Sequence, residues 1–485
     1  MSGSEENLEF CPDHDANAPR ITVETVRQYV VGVGQQVPLV DGRQVPYVNF
    51  DNAATTPPLQ PVLECCQRFY EWYASVHRGS GFKSLLSTHV YEKCREVVAD
   101  FVGADLGHHT LIFTQNATHA LNKLAARVCL KQDHIVLTTA MEHHSNLLPW
   151  RRLGCRVEHA GVRAADGSLD LAALEQKIRE NSGRLCLVTV TGASNVTGYI
   201  PPLGRIARLA HQHGALLAVD ATQLVPHRPF RMGALDDPER ADFAVFSAHK
   251  MYAPFGCGVL IGPTWVFEQG TPDTVGGGTV SAVTMDEVLW AEPPEKDEAG
   301  TPNVPGAIAL ASAAKTLRSI GMENVAEHER ELTRRLLGAL SRIGEITLYG
   351  LKDPAVRQDR LGVIPMNADG LSHGHLAAAL GYEWGIGVRN GCFCAQPYVR
   401  ELLGVSDEAV KGLLGKLEAG EPVDMPGMVR VSFGVYNTAE EVDYLAEALR
   451  SILADGPRAN YVLDDRYKDY VPDRAHVRLE DYVPF

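Results

Sequence analysis

The chain lacks several features that would assign it to a class at once. Lys and Arg are few: 45 stand against 60 Asp and Glu, a net charge of −15 at pH 7. A general nucleic-acid-binding surface needs clustered cations, so that class is excluded. No apolar run approaches the ~18 residues a membrane-spanning helix needs. The stretch Met1 to Ala18 is acidic and polar, without the basic and apolar regions of a secretory signal, and a cytosolic protein is expected. Internal repeats and extended low-complexity runs are absent. Gly32-Val33-Gly34 supplies two glycines of a dinucleotide fingerprint, but Val37 stands where the third belongs and no strand-to-helix context follows. No H-E-x-x-H and no paired C-x-x-C segments occur, so no metal site is expected.

Cysteine is present but unstructured in its spacing: Cys11, Cys65, Cys66, Cys94, Cys129, Cys155, Cys186, Cys257, Cys392 and Cys394. In a long chain without a signal, a disulfide framework is not expected. Cys129 and Cys186, among apolar neighbours, read as small core residues.

What is there suits a large globular protein. The 485 residues are 45% hydrophobic, enough for two to four domains at about 150 residues each. Short β-rich apolar runs (Leu111-Phe113, Ile135-Thr138, Leu185-Val190, Ala215-Val219, Phe243-Phe246) alternate with helical-period segments such as Leu203 to Ala210. That pattern predicts an α/β fold with a largely parallel sheet covered on both faces. Beyond Thr316 the spacing changes. Helical stretches around Val325–Ile343, Ser372–Leu380 and Ala439–Leu453 enclose strand-like segments at Ile346–Tyr349, Leu361–Pro365 and Met428–Phe433, which reads as a smaller α+β domain. The expected division is an N-terminal extension 1–45, a large domain 46–318, a small C-terminal domain 319–459 and a tail 460–485 packed along the surface.

Four segments place chemically capable residues at predicted strand ends, where open α/β sheets bind ligands. Ser247-Ala248-His249-Lys250 follows Phe243–Phe246. Burial favours the neutral amine of such a lysine, the form that makes a Schiff base, although a long lysine can also reach water. Asp220 ends the run Ala218-Val219 and needs a partner, either a pyridinium N–H or the next helix, which it would cap. Thr114-Gln115-Asn116-Ala117-Thr118 enters an amphipathic helix whose N–H groups suit a phosphate, or are simply capped by Asn116. In Met141-Glu142-His143-His144, an imidazole can stack on a flat ring and handle protons, while adjacent histidines face different ways and fit zinc poorly. A Schiff-base lysine, a pyridine carboxylate, a phosphate cradle and a stacking imidazole together meet the requirements of pyridoxal phosphate.

With these segments the chain resembles the class V aminotransferases of the fold-type I pyridoxal-phosphate enzymes, and within them the group II cysteine desulfurases and selenocysteine lyases. The likeness runs from Val48-Asn49-Phe50-Asp51-Asn52-Ala53-Ala54 to Glu440-Val442, and includes Val76-His77-Arg78-Gly79 and Glu298-Ala299-Gly300-Thr301-Pro302-Asn303. It implies a large domain with a mostly parallel seven-stranded sheet and a homodimer. The implied roles are Lys250 as the Schiff-base lysine, Asp220 on the pyridine nitrogen, Gln223 on the ring hydroxyl oxygen and His143 stacked on the ring. Asn195 would lie near the ring hydroxyl and substrate. Ala117, Thr118, Ser247 and His249 would hold the phosphate, with Thr301 reaching that of the neighbouring subunit. Arg430 would grip the substrate carboxylate, with Arg389 and Arg78 also on the substrate side.

The stretch Val388-Arg389-Asn390-Gly391-Cys392-Phe393-Cys394-Ala395-Gln396-Pro397 resembles the group II pattern Arg-x-Gly-x-x-Cys-Ala-x-Pro. The resemblance makes Cys394 the catalytic thiol, with Cys392 and Phe393 where His-His is usual. Read by themselves, the two cysteines fit a loop of inert thiols or half a metal site. The implied reaction takes L-cysteine to L-alanine and a persulfide on Cys394, with an acceptor protein to follow. The alternatives are another class V reaction (a C–S lyase, a selenocysteine lyase or an amino-acid epimerase) or a non-catalytic partner protein that keeps the fold.

Overall fold

The computed structural model describes residues 20–128, 133–152, 154–420, 423, 425–464, 466, 468–474, 477 and 479–483. The polar leader up to residue 19, with Cys11, and Cys129 lie outside the described residues.

A seven-stranded sheet runs in the order His109–Thr114, Gly258–Pro263, Phe243–Ser247, Leu216–Asp220, Leu185–Thr191, Ile135–Thr139, Arg156–Ala160. Only Gly258–Pro263 is antiparallel to its neighbours; the other pairings are parallel. The central strands are buried along nearly their whole length, which explains why they read as continuous apolar runs. Two strands escape that pattern. Arg156–Ala160 is an edge strand with an exposed first residue and polar side chains. Gly258–Pro263 carries glycine at both Gly258 and Gly262, where an added Cβ would strike the Asn116 backbone and the Phe243 ring.

Helices cover both faces. Val304–Ile320 is buried almost all round, between Gln60–Tyr70 and Phe82–Phe101 on one side and the sheet on the other. A second sheet, antiparallel throughout, runs Ile346–Leu348, Val363–Ala368, Met428–Ser432, Arg389–Gly391. Its own core joins the helices Met322–Leu340, His373–Trp384 and Ala439–Asp455. The hairpin Tyr461–Leu463/Tyr470–Pro472 lies against His373–Trp384, with Tyr470 stacked 4.0 Å from the His375 ring.

The segment Val48–Thr56 ties the two sheets together. Val48–Asn49 pairs in parallel with Ile386–Gly387, and Ser432 N–H donates to the Phe50 carbonyl at 2.7 Å. On the other side, Gln223 Nε2 donates to the Ala53 carbonyl at 2.7 Å and Thr56 N–H to the His249 carbonyl at 2.9 Å.

Gly32 and Gly34 both sit at positive φ, 85° and 81°, in a turn before the strand Gln36–Pro38, with no helix following. Among the described residues no helix is long and apolar enough to cross a membrane. One expectation is corrected. Cys65 and Cys186 are disulfide-bonded, so the thiols are not free throughout. The expectation rested on chain length and the missing signal, which say nothing of sulfur geometry. Free cysteines among the described residues are Cys66, Cys94, Cys155, Cys257, Cys392 and Cys394.

Candidate active site

The carboxyl ends of four parallel strands and the exit of His109–Thr114 converge on a cavity of about 300 Å³. Twelve of the sequence-predicted residues line it: Ala117, Thr118, His143, Asn195, Asp220, Gln223, Ser247, His249, Lys250, Arg389, Cys394 and Arg430. Thr301 and Arg78 do not. Both are exposed and outside the cavity.

Lys250 ends the single turn Ala248–Lys250 that follows the buried strand Phe243–Ser247. Burial pulls its amine down to about 8, with Arg430 acting in the same direction and Asp220 opposing. Asp220, 6% exposed at the end of its strand, accepts the Thr222 N–H at 3.2 Å. Burial raises its carboxyl above the ordinary range.

The Ala117–Ala125 helix is capped by Asn116, which accepts from His119 N–H, so the capping reading of Asn116 holds. Ser247 Oγ accepts the Ala117 N–H at 2.7 Å, locking the strand end to the helix start. Thr118 Oγ1 and Ser145 Oγ lie 2.7 Å apart. Ser145 N–H donates to His143 Nδ1 at 3.1 Å, so neutral His143 carries its proton on Nε2. Burial, Lys250, His144 and Arg430 hold the ring down to about 3, which keeps it neutral at physiological pH.

Behind His143, Glu142 is 1% exposed. It accepts from Thr139 Oγ1 at 2.5 Å and Asn146 Nδ2 at 2.6 Å. Burial pushes its carboxyl up to about 8.

The opposite wall comes from the smaller sheet. Arg430 donates to Asp51 Oδ1 at 2.8 Å and to the Asn195 carbonyl at 3.0 Å, and its guanidinium lies 4.9 Å from the centre of the Phe393 ring. Such a cation–π contact contributes about 0.5–2 kcal/mol. Cys392 through Ala395 form a tight turn closed by Ala395 N–H to the Cys392 carbonyl at 2.9 Å. Its central residues, Phe393 and Cys394, have φ of 53° and 54°. Left-handed non-glycine residues cost on the order of 1–3 kcal/mol each, so the surroundings must impose this shape. Asn195 Nδ2 holds the Phe393 carbonyl at 2.8 Å, and His144 N–H holds the Cys394 carbonyl at 2.7 Å. His144 Nε2 also accepts from Gln396 N–H at 3.2 Å.

His144, Phe393 and Asp51 thus belong to the site although residue type alone did not mark their parts in it. Glu298 works at a distance. It accepts from Tyr91 Oη at 2.7 Å, Arg95 Nη1 at 2.9 Å and Phe113 N–H at 2.7 Å, and so anchors the segment leading to Thr301. Among the described residues no group of three His, Cys, Asp or Glu is placed to hold a metal ion.

Other proteins are similar to this chain in sequence and fold. The model of the aminotransferase class-V family matches residues 48–445. A probable cysteine desulfurase of Vibrio cholerae is 36% identical over 414 residues, which cover 83% of this chain and 93% of that protein. The apo structure of a cysteine desulfurase from Thermococcus onnurineus NA1 superposes with a TM-score of 0.76 at 32% identity, covering 90% of this chain and 99% of that one. The cysteine desulfurase CsdA of Escherichia coli gives 0.70 at 30% identity, covering 84% and 95%. The expected α/β architecture with its seven-stranded sheet is therefore the architecture found. By its sequence over residues 48–445 and by its fold, the chain belongs to the class-V aminotransferase family.

Proposed function

We propose that the chain is a pyridoxal-phosphate-dependent cysteine desulfurase that converts L-cysteine to L-alanine and takes the sulfur onto Cys394 as a persulfide. The observation that carries this reading is that Cys394 lines the same cavity as Lys250 and Arg430. A thiol, an amine and a carboxylate-gripping guanidinium then face one small substrate.

The residues present fit the cofactor. Buried Thr222 Oγ1 and Gln223 Oε1 belong to cavity-lining residues and have no hydrogen-bond partner among the described residues. Buried polar atoms rarely stay unpaired, and a polar ring would meet them. Asp220 would face the pyridine nitrogen, Lys250 the aldehyde carbon and His143 the ring face. The start of the Ala117–Ala125 helix, with Thr118, Ser247 and His249, would hold the phosphate. Bound there, pyridoxal phosphate supplies an aldehyde for the substrate amine and a ring that takes up electrons from Cα.

The chain's own groups do the rest. Arg430, held by Asp51 and the Asn195 carbonyl, orients the substrate carboxylate. The Lys250 amine, with an affinity near that of an ideal base at neutral pH, carries the Cα proton. The Cys394 thiolate bonds to the substrate sulfur as the Cβ–S bond breaks. The electron pair stays on carbon and is protonated to give the methyl group of alanine.

Thr301 and Arg78 take their parts in a homodimer, in this reading. The hairpin Val280–Val283/Val288–Trp290 that precedes Thr301 exposes Met285 at 98% and Leu289 at 64%, apolar surface suited to a second copy. Cys394, exposed at the cavity mouth, can hand sulfur to an acceptor protein. A Cys394→Ser variant is expected to keep the cofactor's visible absorbance and lose sulfur transfer. Transfer at the wild-type rate would refute the nucleophile assignment.

A further inference from the structure

Two free thiols share the tight turn at the cavity mouth. Cys392 is its first residue and Cys394 its third, and the turn is closed by the 2.9 Å bond from Ala395 N–H to the Cys392 carbonyl. Left-handed φ at both central residues marks a type I′-like reversal, the tightest way to fold four residues back. Consecutive Cα atoms are about 3.8 Å apart, so residues two apart are separated by at most ~7 Å, and a reversal shortens that. A disulfide needs Cα atoms at roughly 4.4–6.8 Å. The turn therefore keeps the two Cα atoms within the span that a disulfide bridges.

Both central residues are pinned from outside, Phe393 by Asn195 and Cys394 by His144. Cys392 is half-buried against the main core, while Cys394 is exposed. Among the described residues, the remaining free thiols are less well placed than Cys392. Cys66, Cys94 and Cys257 are buried, and burial pushes Cys66 up to about 11 and Cys94 up to about 12. Cys155 precedes the far edge strand of the large sheet.

We propose that Cys392 resolves the persulfide on Cys394. This rests on the desulfurase reading above. The Cys392 sulfur attacks the inner sulfur of Cys394–S–SH, a Cys392–Cys394 disulfide forms, and the outer sulfur leaves as sulfide with the proton from Cys392. Two thiol sulfurs are oxidised and the transferred sulfur is reduced by the same two electrons. An external dithiol must then reduce the disulfide before the next turnover. The enzyme thereby releases sulfide itself instead of waiting for an acceptor.

The test is a single turnover of the holoenzyme with one equivalent of L-cysteine and no added reductant, quenched by alkylation. Alanine and free sulfide in equal amounts, with the peptide bearing Cys392 and Cys394 lighter by two hydrogens, are expected. Alanine with an intact persulfide on Cys394 and no sulfide overturns the proposal and leaves the desulfurase reading standing. No alanine overturns that reading and the proposal with it. Cys392→Ser and Cys392→Ala should each stop the persulfide on Cys394 and release no sulfide until a dithiol is added. A sulfide burst equal to wild type in either variant overturns the proposal.

Discussion

On the floor of the cavity, Asp220 and Lys250 stand at the ends of strands with a partner on each side, and the helix start beside them is tied in by Ser247 and Asn116. On the opposite wall, Cys394 rides a turn with two successive left-handed residues, held by single bonds from Asn195 and His144. The floor derives its precision from the sheet, which would fold the same way without any site. The turn that carries Cys394 has no such scaffold, and its shape must be imposed against local backbone preference. The amine and carboxylate of the floor are placed by strand ends, and the thiol proposed to take up the sulfur is placed by the turn.

Variants that break this contrast should differ in kind. Lys250→Ala, on the floor, is expected to cut alanine formation by roughly 10³-fold or more, read in single-turnover assays. Arg430→Lys keeps a charge but loses the planar fork facing the carboxylate, and the KM for cysteine should rise about 10²-fold with a smaller change in kcat. Equal KM values would place the carboxylate elsewhere. His144→Ala removes the ring nitrogen that accepts from Gln396 N–H and leaves the backbone bond to the Cys394 carbonyl in place, so the turn loses one of its outside ties. Sulfur transfer should fall about tenfold while cofactor affinity, measured by titration, stays put.

Glu142 gives the smallest and most specific effect. Its folded-state carboxyl sits at about 8 against an ordinary 4.5. Below pH 4.5 its contribution to stability is fully present, and it is lost as pH rises through 8. Glu142→Gln should flatten that fall. The thermal midpoint of the variant minus that of wild type should grow between pH 5 and pH 8. A constant difference would show that Glu142 is ionised in the folded protein.

The floor was also the easier part to read in sequence. A charged residue closing an apolar run, as Asp220 does after Ala218-Val219, has few physical explanations, and the same holds for Lys250 after Phe243–Phe246. Arg156–Ala160 is hidden as a strand because an edge position tolerates polar side chains, and Gly258–Pro263 because its glycines serve close backbone contacts. His144 acts through a backbone N–H and a ring nitrogen that accepts from another backbone N–H, neither of which has a signature in residue type. Phe393 is recruited for its ring under Arg430, a contact between residues 37 positions apart that only the tertiary fold creates. The Cys65 and Cys186 disulfides are invisible for the same reason.

The brace Val48–Thr56 has a further consequence. It bonds to Ser432 on the smaller sheet, to Gly387 in the short strand Ile386–Gly387, and to Gln223 and His249 beside the cavity floor. Any rotation of one sheet against the other would have to break several of these bonds at once. The brace thereby couples the floor of the cavity to its opposite wall, so a change at either sheet is felt at the other.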